Sequence, residues 1–345
     1  GAVNLIMKDA PSERQFTANL STGYNAMYFD RDFQSFNRGA IVKKSPYEAM
    51  GKPDDYKVTM EDFTTANLHM KWKKPLPDLT GGLSYGDRFF ADKLGVMLAG
   101  SYLNTNRGKE SQLYYQPGSS HNGIEYRNYS SRQTRIGAHA KLDYSINSNH
   151  KLAWYNGYMD MSEAEVRDGE DEKERAVRMR WNHQYIINST LKGEHVFLHD
   201  GALCLNWSAV LSKAYSETPD NAEIYLLGSH ISSTDAAKRR WEHNSDKDKA
   251  GYLDLMYKLK LDGGKSVDFS AGGMFRDKKR DSFFNEYTFN SATGTQNPQY
   301  IDKDWYNFDE IQFVPRPYGN IGDPLNYDAT EKIGAGYGMV KYTWD

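Results

Sequence analysis

The chain has 345 residues, a net charge of −3, a mean hydropathy of −0.79 and a single cysteine, Cys204. The balanced charge provides no clustered basic face of the kind nucleic acid requires, and one cysteine excludes an intrachain disulfide and any CxxC metal site. No apolar run reaches the ~18 residues of a transmembrane helix, yet 25 Tyr and 7 Trp are far more than a soluble domain calls for, and aromatic girdles on membrane strands would use them.

Taken from the start, Ala2 to Met7 is too short for the apolar core of a signal peptide. The first regular element runs from Gln15 to Tyr28. Phe16, Ala18, Leu20, Thr22, Tyr24, Ala26 and Tyr28 alternate there with Gln15, Thr17, Asn19, Ser21, Gly23, Asn25 and Met27. Alternation of this kind marks a strand with one apolar and one polar face, and its length exceeds the five or six residues usual in soluble sheets. A second strand is expected where Ala66, Leu68, Met70 and Trp72 alternate with Thr65, Asn67, His69 and Lys71, with Trp72 as an interface anchor near its lower end. Leu94, Val96, Leu98 and Tyr102 mark a third. In the fourth, Ile136, Ala138, Ala140, Leu142 and Tyr144 oppose Arg135, Gly137, His139, Lys141 and Asp143, so that second face must be wet.

A fifth strand runs from Lys151 to about Met159, and a sixth, of less regular parity, from Met179 to Phe197. Leu203, Leu205, Trp207, Ala209 and Leu211 define the seventh, with Cys204 on its polar side. Leu253 to Leu261 forms the eighth, Val267 to Phe275 the ninth, and the glycine-rich stretch from Lys332 to Trp344 a tenth whose faces the sequence does not assign. Short turn-like joints at Asn147–His150, Leu198–Ala202 and Asp262–Lys265 alternate with long ones at Phe29–Thr64, Leu103–Gln133, Asp160–Arg178, Lys213–Ala250 and Arg276–Glu331. The extended lower joint Lys73–Lys93 is the exception. Outer-membrane barrels have this asymmetry, with short periplasmic turns and long extracellular loops. The expected fold is therefore all-β, an antiparallel transmembrane β-barrel segment of about ten strands.

The opening residues Gly-Ala-Val-Asn-Leu-Ile-Met-Lys, Gly1 to Lys8, resemble the segment that closes the plug domain of TonB-dependent outer-membrane receptors, where the first barrel strand follows shortly. Arg135 to Tyr144 and Asn206-Trp207-Ser208-Ala209 also look like barrel strands of that family. The resemblance divides the chain into the end of a plug and its linker, residues 1–13, and the N-terminal portion of a barrel, residues 14–345. It implies active import of a scarce nutrient (siderophore iron, haem, cobalamin or a glycan) across the bacterial outer membrane. The implied partners are the TonB complex acting through the plug, the small nutrient ligand, lipopolysaccharide and outer-membrane lipid, and a surface lipoprotein for glycan or peptide uptake. Plugged transporters have about 22 strands, so the remaining wall is expected from residues outside this sequence or from another chain.

No catalytic constellation is present: there is no HExxH, GxSxG or Walker-type loop, and neither a cofactor nor enzymatic activity is expected. The nine histidines are scattered; His69 and His139 are expected to face the lumen, and His121, His230 and His243 to lie in outer loops. The acidic run Asp168 to Glu174 lacks the spacing of a calcium loop and reads as a solvated loop, as does Asp246-Lys247-Asp248-Lys249. Lys238, Arg239 and Arg240 are candidates for lipopolysaccharide phosphates or an anionic ligand, against a plain surface-charge reading. The better ligand-contact candidates are loop aromatics and one arginine: Tyr114, Tyr115, Tyr126, Arg127 and Tyr129 in the second outer loop, and Trp305 and Tyr306, with Phe308, in the fifth. Tyr and Trp supply rigid area with a polar tip. A passive porin-like or structural barrel without a plug is the alternative function. A secreted β-rich adhesion or carbohydrate-binding protein is a third, which would bury Arg135, His139, Lys141 and Asp143.

Overall fold

The computed structural model describes residues 9–52, 57–115, 123–172, 174–198, 202–227, 230–231, 236–261, 264–291, 313–315 and 326–344. The fold is all-β. Strand β1 (Gln15–Gly23) leads into a long connection that contains the short β2 (Phe33–Phe36) and β3 (Met70–Lys73). Then follow β4 (Asp78–Phe89), β5 (Leu94–Tyr114), β6 (Ile124–Asn147), β7 (His150–Glu170), β8 (Glu174–Phe197) and β9 (Leu203–Leu227). The last elements are β10 (His230–Ile231), β11 (Ala237–Lys260), β12 (Ser266–Ser291), β13 (Phe313–Pro315) and β14 (Tyr327–Thr343). The large sheet is an antiparallel meander in the order β1-β4-β5-β6-β7-β8-β9-β11-β12-β14, with β10 added to β9 and β13 to β12; β2 and β3 pair only with each other.

The second wall strand is therefore β4, not the stretch from Thr65 to Trp72 expected from alternation. Ala66–Leu68 is a 3-10 turn, and Trp72 lies in β3 opposite Gln34, on the long connection. His69 accordingly sits outside the wall. With this correction the lower joints are all short, the first of them running only from Phe90 to Lys93 between β4 and β5. The upper joints also shrink, because the strands continue through most of the expected loops. At roughly 3.3 Å per residue the 24 residues of β6 extend about 80 Å, far beyond a hydrocarbon core of about 30 Å.

Register is continuous along β5, β6 and β7 through most of their length, so strand parity sorts side chains onto two faces. One face carries Leu98, Tyr102, Ile136, Leu142, Trp154, Tyr158, Ile187, Leu191, Leu205, Trp207, Leu253, Leu255, Phe269 and Val340 in paired rows across the lower half of the sheet. Many of them are exposed. The other face, at the same height, carries His139, Lys141, Asp143, Lys151 and Asp254.

Above the apolar band the same face is covered by the connection between β1 and β4. Phe36, Phe63, Leu68 and Met70 pack there on Val166, Val177, Met179, Ala222, Ile224, Leu226, Trp241, Tyr287 and Phe289. Phe63 sets its ring edge-on to Tyr287 and Phe289, at 5.1 and 5.0 Å between centroids. Ser45 caps the helix Pro46–Ala49 through a reciprocal bond with Glu48, whose Oε1 meets His243 Nε2 at 2.7 Å. Trp241 Nε1 donates to the Val42 carbonyl at 2.9 Å, and Lys43 meets Glu217 at the same distance. A bulge in β9 makes this packing work. Arg240 faces Asn221 but Glu242 faces Thr218, so one residue of β11 opposes two of β9. The extra residue reverses the parity and turns Ala222, Ile224 and Leu226 toward the connection.

Candidate functional site

The polar face is occupied at its lower end by the backbone just ahead of β1. Asp9 accepts from Lys141 Nζ at 2.7 Å and from Lys151 Nζ at 2.8 Å. Arg88 donates to the Ala10 carbonyl through Nε and Nη2 at 3.2 and 3.1 Å, and Nη2 also reaches Asp143 at 3.2 Å. The glycines below are what let the chain lie so close. A Cβ on Gly86 would meet Pro11 at 2.7 Å, and one on Gly95 would run into Asp143 and meet Ala10 at 2.8 Å. The hydrogen bonds from Lys141 and Lys151 draw the Asp9 carboxyl down to about 2. The seat holds an anionic peptide segment by complementary charge and shape.

At the upper end of the same face a second cluster forms. Tyr115 donates to Glu125, Arg127 grips both oxygens of Glu125 at 2.7 Å, and Arg167 pairs with Glu223. These groups and Tyr225 line a cavity of about 160 Å³. Burial, then the bond to Glu125, raises the Tyr115 phenol above its ordinary value, so it remains a neutral donor. With Asp171 and Glu174, which also line it, four carboxylates, two guanidiniums and two phenols present both donors and acceptors, a set suited to a polar ligand.

Of the residues singled out from sequence, Tyr115 and Arg127 thus come together. Tyr114, Tyr126, Arg127 and Tyr129 lie on β5 and β6, not in a loop. Tyr114 and Tyr126 are exposed and have the parity of the apolar face, away from the cavity. Tyr129 has the polar-face parity; its carbonyl accepts from Arg31 and its ring lies under Lys109. Trp305 and Tyr306 lie outside the described residues, as do Phe308 and His121.

Other expectations change with the strand boundaries. Asp168 is buried and paired with Arg175, so the acidic run is a hairpin end and not a freely solvated loop. Asp246 and Asp248 lie on β11 and face Lys278 and Arg276 of β12. Arg239 is buried against Asp220 and Asn67, which leaves it unable to meet an external phosphate, whereas Arg240 pairs with Glu286 and keeps 39% of its side chain exposed. His243 is a strand residue bonded to Glu48. Sequence reading missed Glu125, Arg167, Glu223 and Tyr225, which lie far apart in the chain and meet only through strand pairing. Among the described residues no group of three or more His, Cys, Asp or Glu is placed to hold a metal ion, and no helix is long and apolar enough to cross a membrane. Compared with known proteins, the chain matches no family model, no curated sequence and no solved structure.

Proposed function

We propose that this chain forms part of the wall of a plugged outer-membrane β-barrel that imports a scarce nutrient in a TonB-dependent way. The observation that carries the reading is the division of one sheet into two faces at the same height. An exposed apolar band crosses ten long strands, whereas water-facing proteins rarely leave contiguous apolar patches larger than a few hundred Å². Hydrocarbon is the medium such a band fits. The opposite face, with Lys141, Asp143, Lys151 and Arg88, then belongs to the lumen, since a charged side chain facing lipid near the midplane costs about 2–4 kcal/mol.

The seat for Asp9 and Ala10 supports the plugged version over a passive pore. It leads the chain ahead of β1 onto the lumen face at the end bearing the short turns, which is the periplasmic end in outer-membrane barrels. A plug preceding residue 9 would enter the lumen there. The cavity around Tyr115 and Arg127 lies at the opposite, outer end, where a ligand arrives. Import of this kind makes and breaks no covalent bond in the cargo. The long connection covers the upper wall on its outer side in this reading, above the bilayer.

The test has two parts. The protein should fractionate with the outer membrane and migrate on gels in a heat-dependent way; a freely soluble, non-shifting protein would overturn the reading. Nutrient-limited growth should depend on TonB and fall in Tyr115→Ala and Arg127→Ala, while Tyr114→Ala and Tyr126→Ala leave it intact. Uptake that persists without TonB would favour the passive pore.

A further inference from the structure

The connection between β1 and β4 and the upper wall enclose a pocket of about 400 Å³, inside the ~300–1,000 Å³ range of ligand sites. Four cations line it, Arg38, Lys73, Lys74 and Arg132, together with the amides Asn104 and Asn106, and no carboxylate does. Lys74 is partly neutralised by Asp32 at 3.1 Å. Arg132 donates to a neutral acceptor, Asn104 Oδ1, at 2.7 Å. Arg38 and Lys73 have no ion-pair partner among the described residues. Burial, then the nearby Arg132, holds the Arg38 guanidinium below its ordinary value. Like charges brought together this way repel, and a shared anion relieves the repulsion.

The position of the pocket narrows the class of anion. Arg132 and Asn104 share the parity of Ile136 and Tyr102, the upper row of the apolar band, and Asn104 is two residues beyond Tyr102, about 7 Å along the strand. Leu76 lines the pocket with 74% of its surface exposed. A cationic pocket thus opens directly above a surface that fits acyl chains. We propose that it binds a phosphate group of a phosphorylated glycolipid of the outer leaflet, with the acyl chains lying on the band below. Arg38 and Arg132 supply forked donors that match phosphate oxygens, and Lys73 adds a third charge. This assignment rests on the membrane reading above.

The test uses the detergent-purified chain with three probes: bisphosphorylated lipid A, the same lipid dephosphorylated, and inorganic pyrophosphate. The bisphosphorylated lipid should bind at least about tenfold more tightly than its dephosphorylated form, as expected for loss of charge-assisted hydrogen bonds. The double variant Arg38→Gln/Arg132→Gln should lose that difference, Arg38→Lys should keep most of it, and Lys71→Gln, an exposed cation outside the pocket, should keep all of it. Equal binding of both lipids overturns the proposal. So does pyrophosphate competing at the concentration of the lipid, which would identify a soluble anion as the occupant. Fractionation separates the two readings: a protein that inserts in membranes but ignores the phosphates refutes only the pocket, whereas one found in the soluble fraction refutes the membrane reading itself.

Discussion

Lys141 Nζ lies 2.7 Å from Oδ1 of Asp9, across 132 positions of sequence, and its side chain is only 5% exposed. A lysine this enclosed on the polar face of its strand needs an anion close by, because a buried charge left unpaired is costly. Asp9 supplies one, and in doing so fixes the backbone ahead of β1 to the wall.

Asp9→Asn should therefore free residues 9–14 without unfolding the sheet. Acid should do the same. The Asp9 carboxyl titrates at about 2 in place of its ordinary 3.8. A carboxyl depressed in the folded state contributes stability that is fully present above its ordinary value and lost as the pH falls through about 2. Its partial exposure keeps the contribution modest. A fluorophore on Ser12→Cys, in a Cys204→Ser background, should gain mobility across that window, and in Asp9→Asn be mobile at every pH. A probe equally mobile at neutral pH with Asp9 intact would show that the seat does not hold.

The strand faces were readable from period-2 alternation wherever one face is apolar and the other wet, as in Arg135 to Tyr144. The rule misled at Ala66 to Trp72. Leu68 and Met70 alternate with polar residues there because a turn and a short strand press them into the core under the connection. It also missed β4, whose Gly81, Gly82 and Gly86 resemble loop punctuation. At Gly86 the glycine is set by packing, because a Cβ there would meet the Pro11 ring at 2.7 Å. The upper strand halves were hidden because neither face there is plainly apolar or plainly wet to a sequence reader. One is covered by residues 24–52 and 57–77, the other is laced with ion pairs such as Arg167 with Glu223 and Arg178 with Glu165. The Tyr115 cluster and the Arg38 pocket unite residues from distant strands, and no local pattern encodes that meeting.

Leu255 tests the apolar band. It pairs with Leu205 and Ala271 in the middle of the band, so Leu255→Arg should lower unfolding stability in lipid by about 2–4 kcal/mol. Asn206→Arg, one position from Leu205 and on the opposite face, should cost under about 1 kcal/mol, the level expected of a solvated surface site. Urea titration of the protein refolded into bilayers reads both. Equal costs would remove the distinction between the faces.

Asp220 tests the clamp that holds the long connection. It is fully buried, bonds Arg239 Nε at 2.7 Å, and accepts from Asn67 Nδ2 at 3.0 Å. Asp220→Ala leaves the Arg239 guanidinium enclosed without its anion, which typically costs about 3–5 kcal/mol. Hydrogen exchange should rise first in residues 57–72 and only later in β9 and β11. If exchange rose uniformly, Asp220 would be supporting the wall instead of the connection.

The β9 bulge admits a sharper test, because parity in a strand is all-or-none. Pro219 and Asp220 lie between Thr218 and Asn221, opposite Trp241, and a proline is tolerated in a sheet at such a bulge because it has no N–H to give the ladder. Deleting Pro219 alone removes only the extra residue: Asp220 then pairs with Trp241, while Asn221 and Ala222 keep Arg240 and Arg239 as partners, so every side chain above keeps its face. Deleting Pro219 and Asp220 together brings Asn221 opposite Trp241, and every side chain beyond that point exchanges faces. Ala222, Ile224 and Leu226 then leave the core, and Glu223 and Tyr225 turn toward Phe63 and Phe289. The connection should detach in the double deletion, since a carboxylate and a phenol would enter the apolar core. The lower band, set by register below Thr218, should be untouched in both. Both variants should therefore still show heat-dependent migration, while protease cleaves residues 57–77 in the double deletion and spares them in the single one. Detachment in the single deletion, or residues 57–77 staying protected in the double one beyond the protection seen in Asp220→Ala, would show that the connection does not depend on which face these side chains take.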